Sequence, residues 1–157
     1  MREYTNCVDC YVRKNGKTLM LFRNKKEKDI NKGKWIGLGG KFEPGESPEE
    51  CCVREVKEEA GITLTDASLR GVVTFVASDG SCEPLYLFLF TAENFEGEIT
   101  ECDEGTLSWV DDDKILDLEL WEGDRMFWKK LLAGEGFFTA KFVYDGEALA
   151  YHKFISY

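Results

Sequence analysis

Apolar residues along this chain fall into short strand-like runs, and helical spacing interrupts them in two places. Residues 3–14 and 17–23 are rich in Val, Tyr, Leu and Met, and Asn15-Gly16 between them is a strong signal for a two-residue hairpin turn. Trp35 to Phe42 reads WIGLGGKF, a short strand whose glycines mark a close approach by another group. Pro44-Gly45 then turns the chain. Ser47 is a good N-cap with Pro48 at the first helical position, and the predicted helix runs to about Ala60, where Gly61 ends it. Residues 68–78 and 84–92 read as two strands joined by a loop containing Gly80. Thr106 to Val110 is a further strand, followed by an acidic cap at Asp111 to Asp113 and a short helical turn. Asp124 to Ala133 has helical periodicity, with Met126, Phe127, Leu131 and Leu132 placed to pack. Residues 137–144 and 148–156 form a last hairpin with its turn at Asp145-Gly146. This order predicts an α/β fold, a mixed sheet flanked by helices.

Composition narrows the class without changing that picture. A chain of 157 residues, 43% hydrophobic and 13% aromatic, is long enough for one domain (1–157) with a proper core. It has no apolar run of eighteen residues, and its polar start, MREYTNC, predicts no signal peptide; the expected location is cytoplasmic, away from membranes. A net charge of −10 argues against binding nucleic acid polymers, so an anionic nucleotide would arrive with its metal. Segment 23–34, RNKKEKDINKGK, holds six basic residues against two acidic ones. Most of it reads as a solvated loop, with Arg23, at a strand end just before the Gly-rich segment, as the member to place near phosphate. The six cysteines do not read as a disulfide framework. Cys51 and Cys52 are adjacent, and Cys7 and Cys10 lie in a strand where i and i+3 face opposite sides. Reduced, partly buried thiols are expected. His152 is the only histidine, so triads built on a His base are disfavoured and carboxylates and metal are left to do the acid–base work.

The candidate chemistry sits on the first helix. Glu55, Glu58 and Glu59 stand at i, i+3 and i+4, which puts three carboxylates on one face. Like charges that close repel unless a hard cation with oxygen ligands cancels them, and Mg²⁺ in particular bridges carboxylates to phosphates. Arg54, four residues before Glu58, is spaced to pair with it and hold its rotamer. The bland alternative is a solvated acidic helix face. What tips the balance is the whole stretch 40–62, GKFEPGESPEECCVREVKEEAGI, with Gly40, Glu46, Arg54, Glu55, Glu58, Glu59 and Gly61 at fixed spacing and apolar Val56 and Ile62 among them. It resembles the Nudix box, the signature of hydrolases that cut nucleoside diphosphates linked to another group.

That resemblance implies an α/β/α sandwich, a mixed sheet with a central catalytic helix and a C-terminal helix. It extends over KWIGLGGKFEPGE, TECDEGTLSWVDDDKI, LWEGDRMFWKKLL and FTAKFVYDG, and looks like the MutT-type oxidised purine nucleoside triphosphate diphosphatases, more like their mammalian form than the short bacterial one. It implies Mg²⁺, with Mn²⁺ as the alternative ion, held by Glu55, Glu58, Glu59, the Gly40 carbonyl and Glu104. Either Glu58 or Glu104 would accept the proton of water, with Arg54 beside them. It further implies a purine pocket in which Trp121 stacks on the base and Asp124 bonds its edge, with Phe75 as a second candidate wall. Two positions depart from the pattern: Gly123 stands where the family has a second aspartate, and Ile36 where it has an asparagine. The implied reaction is hydrolysis of an oxidised purine triphosphate such as 8-oxo-dGTP to monophosphate and pyrophosphate, sanitising the nucleotide pool that feeds DNA synthesis and repair. The alternatives are a Nudix hydrolase of ADP-ribose, a dinucleotide polyphosphate or an ordinary NTP, and a non-catalytic nucleotide sensor.

Overall fold

Strand propensity and turn chemistry set the order of elements in the computed structural model, which describes residues 3–157. Strand β1 (Thr5–Lys14) and β2 (Lys17–Phe22) form the first hairpin, and its turn uses positive φ at Asn15 (54°) and Gly16 (72°), as a primed turn demands. The stretch expected as one strand divides into β3 (Trp35–Ile36) and β4 (Leu38–Lys41), because β3 pairs with β2 while β4 pairs with β1. Helix α1 spans Pro48–Ala60. Then come β5 (Thr63–Leu64), β6 (Ser68–Ala77), β7 (Leu85–Ala92), β8 (Phe95–Glu96) and β9 (Thr106–Asp111). A 3₁₀ turn at Asp112–Asp117 leads to α2 (Glu122–Leu132), two residues earlier than its periodicity predicts, and β10 (Phe138–Asp145) and β11 (Ala148–Ser156) close the chain.

Among the described residues, the main sheet runs β11-β10-β6-β7-β1-β2-β3, with β4 joined to β1 and β9 to β2. It is mixed: β1 is parallel to β7 and β6 is parallel to β10, while the other pairings are antiparallel. The short β5–β8 pair forms a separate two-stranded sheet that periodicity did not announce.

Alternation along β1 sorts its side chains between two cores. Val8, Cys10 and Val12 pack with Cys51, Cys52, Val56 and Ala60 of α1. Cys7 and Tyr11 pack on the opposite face with Phe127, Trp128 and Leu131 of α2. Each fully buried large side chain contributes about 2 kcal/mol, so both helices are fastened by their apolar stripes. The sheet between two helical layers is the mixed sheet flanked by helices that the order of elements predicts, and the α/β/α sandwich that the resemblance implies. All six cysteines are free, with Cys10, Cys51, Cys52 and Cys102 buried. No helix among the described residues is long and apolar enough to cross a membrane.

Candidate active site

Helix α1 is fixed at both ends by local chemistry. The Ser47 side chain accepts the Glu50 N–H and the Glu50 side chain accepts the Ser47 N–H, a complete capping box. Gly61 takes the left-handed conformation at φ 77° that ends the helix. The helix crosses β4 so closely that a Cβ on Gly40 would lie 2.6 Å from the Glu55 carboxylate. A Cβ on Gly37, three residues earlier, would overlap the Asp9 carboxylate on the other face of the sheet. The WIGLGGK segment therefore threads between two acidic sites and separates them by the thickness of a backbone.

On the α1 side, Glu59 is buried and accepts the Gly39 N–H at 3.2 Å, while its second oxygen has no hydrogen-bond partner. Burial, then the Glu104 charge, pushes its carboxyl up to about 8. Glu55 is also raised, by burial first, with the Arg54 hydrogen bond acting against it. Glu58 is 58% exposed and touches Arg54 at 3.3 Å. The expected Arg54–Glu58 pair is therefore present, but Arg54 has shorter contacts elsewhere. Its guanidinium forks onto Glu46 at 2.7 and 2.9 Å, meets Glu55 at 2.8 Å and reaches the Lys41 carbonyl at 3.1 Å. That fork, helped by the Glu43 N–H, holds Glu46 down at about 2.

Glu104, on the loop before β9, accepts from Arg23 at 2.8 Å and Lys26 at 3.3 Å. Arg23 also donates to the nearly buried Asp29 at 2.7 Å. The basic segment is thus less free than a solvated loop. Asp29 folds it back on Arg23, and Lys25 is tied to the Cys102 carbonyl at 2.7 Å. Asp29 belongs to no motif, and its loop position gave no sign of this role.

Among the described residues, no three His, Cys, Asp or Glu side chains stand close enough to grip a cation as they are. Glu58 is turned to Arg54 and Glu104 to Arg23. The donor set still fits a hard divalent cation: a buried carboxylate oxygen without a partner on Glu59, a half-buried Glu55 against the Gly40 backbone, and Glu104 near enough for its charge to act on both.

On the α2 side, Trp121 is the residue preceding the helix and makes no side-chain cap bond, so its WxxD spacing is not a capping device. Its indole N–H donates to Asn31 at 2.9 Å, Lys34 Nζ lies 5.0 Å from the ring centroid, and the Tyr144 ring meets it edge-on at 5.4 Å. Asp124 is buried, and its carboxyl is driven well above the usual range, by burial first and then by the charge of Asp9, with Lys34 acting the other way. Phe75 lies on the same face, its ring 5.5 Å from Phe142 and 6.1 Å from Tyr144. Gly123 is required by packing. A Cβ there would lie 2.5 Å from the Phe142 ring and 2.8 Å from the Tyr144 hydroxyl, which accepts the Gly123 N–H at 2.8 Å. A shallow depression of about 360 Å³ at the far end of the β1–β2 hairpin, lined by Arg13, Lys14 and Lys17 among others, contains none of these residues.

Comparison with known proteins agrees with this geometry. The NUDIX domain model matches residues 3–131. The Nudix hydrolase YvcI of Bacillus subtilis (strain 168) is 32% identical over 150 residues, covering 94% of this chain and 89% of its own. The oxidized purine nucleoside triphosphate hydrolase of Danio rerio is 34% identical over 129 residues, 82% of this chain and 81% of that one. Among solved structures, the mutator MutT protein of Bacillus halodurans superposes with a TM-score of 0.86 at 30% identity, covering 96% of this chain and 97% of that one.

Proposed function

The chain belongs to the NUDIX family and is a Nudix hydrolase, and from that premise we propose that it cleaves a purine nucleoside triphosphate, 8-oxo-dGTP foremost, to the monophosphate and pyrophosphate. The observation that carries the reading is the unpartnered, buried oxygen of Glu59 beside the Gly39–Gly40 backbone. A buried carboxylate left half-satisfied costs stability, and in a polar cleft a hard cation satisfies it.

In this reading Glu55, Glu59 and the Gly40 carbonyl hold the ion, Mg²⁺ by preference, with Glu58 and Glu104 completing the set. When bound, such a cation neutralises polyphosphate charge and acidifies water. The chain's own residues do the rest. Glu58, exposed and loosely held by Arg54, is free to take a proton from the attacking water. Arg54 offsets the repulsion between Glu55 and Glu58 and anchors the Glu46 loop. Arg23, held by Asp29, offers its remaining charge to phosphate. Trp121 and Asp124 meet the base, with Phe75 farther along the same face. The Danio rerio relative's name supports the oxidised purine. An ordinary purine triphosphate is the second reading, favoured by the absence of any polar side chain at Ile36 and Gly123.

Pyrophosphate release with Mg²⁺, measured as kcat/KM over 8-oxo-dGTP, dGTP, dATP, ADP-ribose and a dinucleotide polyphosphate, tests the proposal. Glu58→Gln is expected to keep its melting curve and lose at least about 10²-fold in kcat. Turnover close to wild type in that variant removes Glu58 from the chemistry, and no release from any triphosphate overturns the reading.

A further inference from the structure

The loop from Arg23 to Lys34 touches two separate parts of the site. Its first residues meet the segment that carries Glu104. Arg23 and Lys26 donate to the Glu104 carboxylate, Lys25 donates to the Cys102 carbonyl, and Asn24 donates to the Thr106 hydroxyl oxygen at 3.1 Å. Its later residues meet the segment before α2. The Asn31 side-chain carbonyl accepts the Trp121 indole N–H, and the Trp35 N–H, just past the loop, donates to the Glu119 carbonyl at 2.9 Å. The backbone closes the loop at its neck, where the Arg23 N–H donates to the Lys34 carbonyl and the Gly33 N–H to the Arg23 carbonyl.

Asp29 stands between these two ends. Its neighbours Lys28 and Ile30 are exposed, Ile30 to 76%, yet the Asp29 side chain is only 5% exposed. The two carboxylate oxygens serve different arms. Oδ2 accepts from Arg23 Nε at 2.7 Å, and another nitrogen of that guanidinium donates to Glu104 at 2.8 Å. Oδ1 accepts the Asn31 N–H at 3.0 Å, an Asx turn that sets the residue holding the Trp121 indole. A path of polar contacts therefore runs from Glu104 through Arg23, Asp29 and Asn31 to Trp121. We propose that Asp29 is a positioning residue that fixes the Glu104 end of the cleft and the Trp121 ring relative to each other. Its kinetic consequence rests on the triphosphate reading above, whereas the path itself does not.

A carboxylate suits this junction because it offers acceptors on both sides, and both of its partners here are donors. Arg23 suits it because a guanidinium presents several N–H groups in a fixed fork, so one side chain spans two carboxylates; an ammonium is a single point charge. A nucleoside triphosphate would reach both ends at once, with its base at Trp121 and its phosphates toward Arg23 and Glu104. The spacing of the two ends is then what the substrate measures, and slack at Asp29 costs binding at both.

The cut is made by Asp29→Asn. Its side-chain carbonyl still accepts the Asn31 N–H and keeps the Asx turn, while its NH₂ faces the Arg23 guanidinium, donor against donor. The full chain is compared as wild type and Asp29→Asn, each with and without Glu104→Gln. The Trp121 indole N–H resonance, assigned with Trp121→Phe, is followed in ¹⁵N spectra without metal, and KM and kcat for 8-oxo-dGTP and dGTP are measured with Mg²⁺. Glu104→Gln is expected to shift the Trp121 resonance in the wild-type background and to leave it in place in the Asp29→Asn background. Asp29→Asn alone should lower kcat/KM by about 10- to 100-fold, mostly through KM. Arg23→Lys, which keeps the charge and loses the fork, cuts the same path and decides the matter if Asp29→Asn does not fold. A Trp121 response to Glu104→Gln that is equal in both backgrounds, or a lower melting temperature with KM unchanged, makes Asp29 a residue that only holds its own loop and overturns the proposal. Absence of triphosphate hydrolysis in the wild type overturns the triphosphate reading instead, and the metal-free spectra still decide the role of Asp29.

Discussion

A single carboxyl in the wrong protonation state can cost more than a lost methyl group, and Asp9 is a residue where this is measurable. Its folded-state value, about 7, lies above the ordinary aspartate value of about 3.9 in an unfolded chain. Between those values the folded protein binds the extra proton, so its contribution to stability falls as pH rises through that window. At about 1.4 kcal/mol per unit, the loss from pH 4 to pH 8 reaches about 4 kcal/mol at most. Asp9→Asn removes the titration, while any cost of the buried amide is the same at every pH. In EDTA, the melting temperature of Asp9→Asn should gain on wild type between pH 5 and pH 8, and an unchanged difference would mean that Asp9 is already ionised at pH 5. Nothing in the sequence marked this residue. It sits between apolar neighbours in a strand, and its meaning comes from Asp124 and Gly37, which only the fold brings to it. The Glu55, Glu58 and Glu59 triplet was readable because one helical turn sets its spacing. That Glu58 is open and Glu59 buried was not, since helix phase against the sheet is a tertiary property.

At the scale of the element, α1 shows how local rules make a helix legible. Its cap, its proline and its terminal glycine are all contiguous signals, and the observed span matches them. Ser47→Ala should cost about 1 kcal/mol by removing one arm of the capping box. For a domain of this size that is a drop of about 2–4 °C in the melting temperature, and a calorimetric scan checks it. An unchanged scan would mean that the Arg54 fork onto Glu46, not the cap, holds the helix start. The same fork gives Arg54 a second partner, beyond the Glu58 its spacing indicated. The i, i+4 rule sees only the helix, whereas Glu46 reaches Arg54 because the preceding loop turns back across it. The two-residue strands were hidden for a similar reason. β3, β5 and β8 carry too few residues for a period and exist through the strands they pair with.

Across the whole molecule, a net charge of −10 is not spread evenly, because part of it is pressed into the cleft between α1 and β4. The mixed sheet and its two helical layers followed from the order of elements, but the parallel joins of β1 with β7 and β6 with β10 involve long separations that no short motif encodes. The antiparallel join of β2 with β9, equally distant in sequence, puts Glu104, on the loop before β9, where it can act on Glu59. The consequence is a thermodynamic link between metal, protons and folding. Without metal, Glu59 raised to about 8 adds to the loss of stability as pH climbs from the ordinary glutamate range, about 4.3, to that value. A divalent cation that binds the folded form stabilises it by mass action and must displace the Glu59 proton to do so. Addition of Mg²⁺ should therefore raise the melting temperature, and by more at pH 8.5 than at pH 6, where the proton competes. A sodium control matched for ionic strength separates this from screening, which relieves exposed charges without regard to the ion's identity. Equal shifts in both salts, or a Mg²⁺ shift that does not grow with pH, would mean that Glu59 does not receive the cation and that its unpaired oxygen is merely a cost of the fold.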